Sequence, residues 1–288
     1  MKKQFTLSFI FISLFSSNLY AYNMNNSCED LLKKGDNKNA IIASKAIENK
    51  YDASFCGAKA EYREKNYKAA IALFTKSIQH ADLPSDQLFS FLYKGITERD
   101  TGDITKSTAT FTKGLNTAAL GNSKYMQMER KFLYQLGKNA LVNKKGDVAI
   151  DYFVKSLTVA ANDDERGESF EGLSLAYFAS GKVDSAIEYG VKASTTFQRT
   201  GKLGEYADMQ VTLANYEAVN KNFTRAIRIL TKLENFAKTN GGLYYQAKAL
   251  LEKARIYKLE GNDDLSNQAK KQGKAIATEI GATDLIQP

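Results

Sequence analysis

Two columns of small residues, always twelve positions apart, are the feature of this sequence that most restricts its fold. The first column contains Cys28, Ala58, Gly95, Gly137, Ser174, Ala214 and Ala254. The second column contains Ala40, Ala70, Ser107, Ala149, Ala186, Ala226 and Ser266. Helix axes approach to about 8–10 Å where the contacting side chains are small enough. The two columns therefore predict repeated pairs of antiparallel helices that cross closely at these positions.

Apolar residues follow the second column at helical spacing. One position after it stand Ile41, Ile71, Thr108, Ile150, Ile187, Ile227 and Asn267. Four positions after it stand Ser44, Phe74, Phe111, Phe153, Gly190, Leu230 and Lys270. Residues three or four apart share one face of a helix, so this pattern predicts helices with a single apolar side. Pro84 and Pro288 are the only prolines, which also favours an all-α chain.

A turn position precedes each member of the second column by five residues. It is occupied by Gly35, Lys65, Gly102, Lys144, Gly181, Lys221 and Gly261. Glycine at the end of a helix usually takes the left-handed conformation, so we expect a helix to stop there. After Lys65 and Lys221 we expect the following asparagines, Asn66 and Asn222, to take that conformation instead.

These spacings together resemble the tetratricopeptide repeat. The segments "FEGLSLAYFASGKVDSAIEYGVKA" (170–193) and "FLYQLGKNALVNKKGDVAIDYFVKS" (132–156) are the most similar to it. The likeness covers residues 28–281 as about six to seven degenerate repeats, most of them longer than usual and with degenerate end units. It implies an all-α fold, a right-handed superhelical solenoid of stacked antiparallel helix pairs, followed by a tail at residues 282–288.

The family resemblance also implies a binding site. In tetratricopeptide repeats the opening helix of each pair lines a concave groove that holds an extended protein segment. Carried onto this chain, the groove residues of the N-terminal half are Phe55, Lys59, Tyr62, Arg63, Arg99, Tyr134 and Lys138. This basic and aromatic strip suits an acidic segment, although the family's carboxylate-clamp residues are not matched. The alternative is a charged face that is merely solvated.

The first residues have a separate role. Lys2 and Lys3 precede an apolar stretch, and small and polar residues end at Ala21, which predicts a signal peptide at residues 1–21 and a linker at 22–27. A membrane anchor, which takes about 20 apolar residues, is the alternative. Removal of the two lysines lowers the formal net charge from +8 to +6. We therefore expect an exported protein, periplasmic or secreted, with no stable membrane span after cleavage.

The chain has two cysteines, Cys28 and Cys56. Two cysteines in an oxidising compartment usually pair. In a solenoid the two would lie on the opening helices of successive pairs, so we expect a disulfide between them. The alternative is two buried thiols that never meet.

Residues suited to catalysis or metal binding are scarce. His80 is the only histidine and ends a predicted helix, where a surface or capping role is usual. Ser174 lies in "GLSLA", which resembles a nucleophile elbow, but its place in the small column already explains it. We therefore expect no enzyme, metal or cofactor. A partner nucleic acid is not expected either, because the charge excess is small and the aromatic residues fall at core positions.

The sequence thus predicts an exported scaffold or adaptor that binds a protein or peptide in the groove of a helical-repeat array. The alternative is an accessory or sensor protein that binds a small molecule. Such sites usually need an enclosed apolar pocket with converging polar groups, and nothing in the sequence places one.

Overall fold

The computed structural model describes residues 28–240 and 242–286 of the chain, and in these residues it contains α-helices and no β-strand. The helices are α1 (28–33), α2 (Asn37–Ser44), α3 (Lys50–Arg63), α4 (Tyr67–His80), α5 (Pro84–Asp100), α6 (Ile104–Ala119), α7 (Met126–Val142), α8 (Gly146–Thr158), α9 (Asp163–Ala179), α10 (Val183–Arg199), α11 (Leu203–Val219), α12 (Phe223–Thr239), α13 (Leu243–Glu260) and α14 (Asp263–Glu279). Short 3₁₀ helices lie at Asn122–Tyr125 and Thr283–Leu285. The predicted signal peptide and linker lie outside the described residues.

The helices pack in chain order. Each odd-numbered helix is followed, after a short turn, by the even-numbered helix of its pair, and we call these the opening and closing helices. The contacts divide the chain into two compact units, one up to Met128 and the other from Glu129. Within each unit, a helix contacts the helices that precede and follow it. The all-α arrangement of sequential helix pairs predicted from the small columns is confirmed.

The two small columns lie at the crossings within the helix pairs, where every member is buried. Serines in either column show how close the crossing is. The Ser107 hydroxyl donates a 2.7 Å hydrogen bond to the carbonyl of Gly95, and Ser174 donates one of 2.7 Å to Ala186. A bulky side chain would push these backbones apart, which explains why only small residues recur there.

In three of the helix pairs, a phenylalanine four positions after the second small column fills the space beside the crossing. Phe74, Phe111 and Phe153 are fully buried. At Gly137 an added Cβ atom would lie 2.7 Å from ring carbons of Phe153, so the glycine lets the ring rest directly against the backbone of α7. Close packing of this kind makes the pair intolerant of even one added methyl group.

The turn column adopts one conformation throughout. Gly35, Gly102, Gly181 and Gly261 all have positive φ, between 74° and 89°. The three lysines at the same column, Lys65, Lys144 and Lys221, have φ of 62°, 56° and 61°. Each opening helix of a pair therefore ends at a left-handed residue, whatever that residue is.

The expectation that the asparagines take the left-handed conformation is wrong. Asn66 and Asn222 have φ of −80° and −84°, and the preceding lysine makes the left-handed turn. Their side chains have another task. Asn66 donates to the Glu61 carboxylate at 2.8 Å, and Asn222 donates to Glu217 at 3.0 Å, so each asparagine ties the turn back to the opening helix.

Candidate functional site

The predicted site residues of the first compact unit lie mainly on α3, between the opening helices α1 and α5. The Lys59 ammonium forms an ion pair with Glu29 of α1 and lies 5.0 Å from the ring centroid of Phe55. The Arg63 guanidinium donates a hydrogen bond to the backbone carbonyl of Leu32 at the end of α1. Both cations that we predicted for the groove on α3 are thus already engaged with the preceding opening helix.

Tyr62 reaches the following opening helix. Its hydroxyl donates a 2.6 Å hydrogen bond to the carboxylate of Asp100 on α5. Burial, with this bond and the negative charge of Asp100, raises the pKa of Tyr62 to about 12, while the nearby Arg99 acts in the opposite direction. The side chains of Tyr62 and Asp100 therefore bridge α3 and α5 as hydrogen-bonded partners.

Phe55 and Arg99 contribute more to the core than expected. The Phe55 ring packs against Tyr51, Phe74 and Tyr93, with centroids 5.4, 5.9 and 5.6 Å away. The Arg99 guanidinium lies 5.9 Å from the centroid of another buried ring, in α6. Both side chains are half-buried. They therefore lie at the edge of the surface that the opening helices share, which we call the opening-helix face.

Tyr134 and Lys138 belong to the second compact unit. The Tyr134 ring meets Phe153 edge-on at 5.5 Å, and the exposed Lys138 ammonium lies 5.8 Å from the Tyr134 centroid. The seven predicted residues are therefore divided between the units, five in the first and two in the second.

Carboxylates also line the opening helices of the second unit. Burial raises the pKa of Glu171 on α9, and the charges of Asp208, Glu168 and Glu205 raise it further, while Lys138 opposes them. The Asp208 carboxylate in turn accepts a 2.7 Å hydrogen bond from Lys248, forty residues later.

The forty-residue spacing is the signal that would have revealed these partners. Asn215 and Arg255 are also forty residues apart, and the Arg255 guanidinium donates to the Asn215 side-chain oxygen. In both pairs the residues occupy equivalent places on α11 and α13. Polar residues of complementary chemistry, separated by one full repeat, indicate neighbours on successive opening helices.

Aromatic stacking adds to these polar contacts. The rings of Phe178 on α9 and Tyr216 on α11 stack with their centroids 4.2 Å apart. Burial is the main reason that the pKa of the Tyr216 phenol is raised to about 12. The opening helices of the second unit are thus joined along one face by a stacked pair, an ion pair and an amide–guanidinium bond.

The reactive residue types fall into structural roles. No group of three or more His, Cys, Asp or Glu side chains that could hold a metal ion occurs within the described part of the chain. His80 is exposed at the last turn of α4, and the Ser174 hydroxyl is engaged at its helix crossing. Within the described ranges, no helix is long and apolar enough to cross a membrane.

The two cysteines are brought together. The Sγ atoms of Cys28 on α1 and Cys56 on α3 lie 1.94 Å apart and the Cα atoms 6.5 Å apart. Both side chains are buried in one cluster with Leu32 and Ala40. The pair can form a disulfide. That the disulfide is present in the cell stays a prediction.

Comparisons with known proteins support the fold. No family model matches the chain, and no curated protein sequence is similar to it. A kinesin light chain with tetratricopeptide-like repeats from Podosopora anserina is 17% identical over 70% of this chain and 100% of that one, with a TM-score of 0.61. The apo form of RapI is 15% identical, covers 81% of this chain and 99% of its own, and has a TM-score of 0.62.

Aspartyl phosphate phosphatase F from Bacillus subtilis is 14% identical over 86% of this chain and 74% of that one, with a TM-score of 0.64. These identities are low, so the similarity concerns the fold. The chain has a tetratricopeptide-like arrangement of helical repeats.

Proposed function

We propose that this chain, with its tetratricopeptide-like helix pairs, is a non-enzymatic scaffold or adaptor that binds a peptide or protein segment along its opening helices. The observation that carries the proposal is the chemistry of the opening-helix face. In the first unit this face combines Lys59, Tyr62 and Arg63 with the aromatic ring of Phe55. Cations and rings side by side suit a ligand that offers carboxylates and apolar groups.

The existing ion pair on this face can exchange for one with a ligand. Lys59 is bound by Glu29, and the side chain of Glu29 is 48% exposed whereas that of Lys59 is 18% exposed. Because the carboxylate partner faces solvent, another carboxylate can take its place, and the exchange replaces one charge-assisted hydrogen bond by another of the same kind. An acidic segment that supplies its own carboxylate to Lys59 would displace Glu29 and bury the ring of Phe55. We therefore propose an acidic segment as the ligand of the first unit.

We also propose that the protein is exported to the periplasm or secreted. The charged and apolar pattern of residues 1–21 supports this, as does the presence of two cysteines that share one buried cluster. Intact-mass measurement of protein purified from the cell envelope tests it. A mature chain beginning at Tyr22 is expected, and a full-length chain in the cytoplasmic fraction would contradict export.

The groove proposal is tested by crosslinked capture of the exported protein followed by mass spectrometry. Lys59→Ala with Arg99→Ala should weaken capture of the partner, most clearly at low salt, because exposed charges are screened by salt. Lys76→Ala with Lys113→Ala is the matched control, because it removes two cations from the exposed faces of closing helices α4 and α6 of the same unit.

A third variant gives the opposite expectation. Glu29→Gln removes the carboxylate that competes for Lys59, so capture of an acidic partner should increase. Loss of the partner in the control variant, with retention in the Lys59 and Arg99 variant, would show that the opening-helix face is not the site. A thermal shift from a metabolite library in the absence of any captured protein would favour the small-molecule alternative.

A further inference from the structure

A separate groove lies on the other helices of the second compact unit. It has a volume of about 370 Å³ and is lined by the closing helices α10 and α12 and by α11. Ile187 and Val191 of α10 and Ile229 of α12 give it apolar sides, and Leu213 of α11 adds a buried apolar surface. Val191 is 49% exposed, so this apolar surface is accessible to a ligand.

One side of the groove carries a row of cations. Arg225, Arg228 and Lys232 follow one another at spacings of three and four residues on α12, and all three line the groove and are exposed. Arg225 is neutralised, because its Nε atom lies 3.0 Å from the carboxylate of the buried Glu217. Arg228 and Lys232 contact no carboxylate within residues 28–240 and 242–286. The groove therefore presents two uncompensated positive charges.

The preceding closing helix shows that this charge is not a general property of the repeat. The positions on α10 equivalent to Arg228 and Lys232 are Glu188 and Lys192, which form a 2.6 Å ion pair with each other. On α12 the acid of this pair is replaced by arginine. Like charges four residues apart on a helix repel each other, so α12 keeps a locally unfavourable arrangement that an anionic ligand would relieve.

A second difference between α10 and α12 concerns the space available in the groove. The position of Ile229 is occupied in α10 by Tyr189, whose ring stacks on Tyr177 with the centroids 5.2 Å apart. Isoleucine has no ring to fill the corresponding space in the next pair. The two changes occur on neighbouring positions of one helix, and together they supply both an apolar surface and positive charge.

The basic surface continues around the start of α12. A neighbouring cavity of about 470 Å³ is lined by Lys221, Arg225 and Arg228, and Glu260 is the one carboxylate residue among its lining residues. Lys221 is the left-handed turn residue between α11 and α12. The excess of cations over carboxylates therefore extends beyond the groove itself.

We propose that this groove binds a short acidic segment of a partner protein, with two carboxylates facing Arg228 and Lys232 and an apolar side chain against Val191 and Ile229. Four residues of an α-helix span about 6 Å, and two residues of an extended chain span about 6.6–6.8 Å. The two cations are thus matched by an extended segment in which acidic residues alternate with another residue. Arginine can bind such a carboxylate through two parallel hydrogen bonds.

This surface is formed by closing helices and by the side of α11 that faces them, so it is distinct from the opening-helix face. The probe is a displayed library of short random peptides, selected against the full mature protein. We expect enrichment of peptides with two acidic residues separated by one residue and flanked by an apolar residue. Arg228→Glu with Lys232→Glu should weaken their binding about tenfold or more, because charge-assisted hydrogen bonds are replaced by repulsion.

Two further variants distinguish binding in this groove from general electrostatic attraction to the protein. Lys271→Glu with Lys274→Glu makes the same change in net charge at exposed positions of α14 and should leave binding unchanged. Val191→Trp fills the groove without changing the charge and should also weaken binding. Circular dichroism of each variant shows whether it is folded.

The proposal is overturned by an equal loss of binding in both double variants, or by full binding to the Arg228 and Lys232 variant. Selection that enriches no acidic peptides has the same consequence. Phosphatidylglycerol vesicles serve as a second probe. Binding of the protein to these vesicles that depends on Arg228 and Lys232, with no peptide bound, would replace the protein segment by a membrane surface.

Discussion

The left-handed lysine between α7 and α8 offers a sensitive test of the repeat geometry. Lys144 has a φ of 56°, and its side chain is exposed. Its backbone N–H donates a 2.9 Å hydrogen bond to the carbonyl of Leu141, which closes the end of α7. Replacing Lys144 by glycine keeps this hydrogen bond and removes the Cβ atom that disfavours the left-handed conformation.

The expected gain follows from two opposing contributions. A residue with a Cβ atom loses about 1–2 kcal/mol in the left-handed helical conformation. Glycine in turn loses more backbone entropy on folding than other residues, by roughly 0.5–1 kcal/mol. Lys144→Gly should therefore raise the free energy of unfolding by about 0.5–1 kcal/mol. In a unit of this size, about 1 kcal/mol corresponds to a rise of roughly 2–4 °C in melting temperature.

Urea denaturation of three variants measures this gain. Lys144→Ala removes the same side chain but keeps a Cβ atom, so it should not be stabilised. Lys145→Gly tests the neighbouring position, whose φ is −99°, and it should bring no gain in stability. If Lys144→Gly is no more stable than Lys144→Ala, the conformation of this turn or our account of its strain is wrong.

Two other predictions concern the cysteines and the half-buried Glu171. The pair formed by Cys28 and Cys56 closes a loop with a sequence separation of 28 residues, which should stabilise the protein by about 3.5 kcal/mol. Thiol counting on denatured protein from the cell envelope should find no free thiol, and two free thiols would refute the bond. Because burial raises the pKa of Glu171 above 4.5, its stabilising contribution is present below pH 4.5 and is lost as the pH rises through the raised pKa. Glu171→Gln should therefore melt at a higher temperature than wild type at pH 8, and the difference should disappear near pH 4; equal melting temperatures at pH 8 would contradict this.

The fold could be predicted from the sequence because the repeated helix crossing restricts residue size at fixed positions. The small columns, the buried phenylalanines and the turn column all follow from the packing of one helix on the next. The error at Asn66 and Asn222 has a local cause. The left-handed conformation belongs to the turn-column residue in every pair, including Lys144, which no asparagine follows. The side chains of Asn66 and Asn222 bond to Glu61 and Glu217 instead.

The candidate site was harder to predict, because it depends on pairings between side chains of different helices. The basic character of Lys59 and Arg63 is plain in the sequence, but their engagement by Glu29 and Leu32 is not. The forty-residue pairing of Asp208 with Lys248 leaves a trace in the sequence only once the repeat register is known. Exposed long side chains have many rotamers, so their partners are poorly determined by spacing alone.

The restriction of contacts to sequence neighbours also has a consequence for how the chain folds. Within each compact unit, a helix packs mainly on the helices before and after it, and side-chain contacts such as Tyr244 with Asp284 join residues forty positions apart. Contacts over about forty residues cost less loop-closure entropy than contacts between distant parts of the chain. Folding should therefore be rapid for a protein of this length. During synthesis, a helix pair can fold as soon as the neighbouring pair has been made, before the rest of the chain is complete.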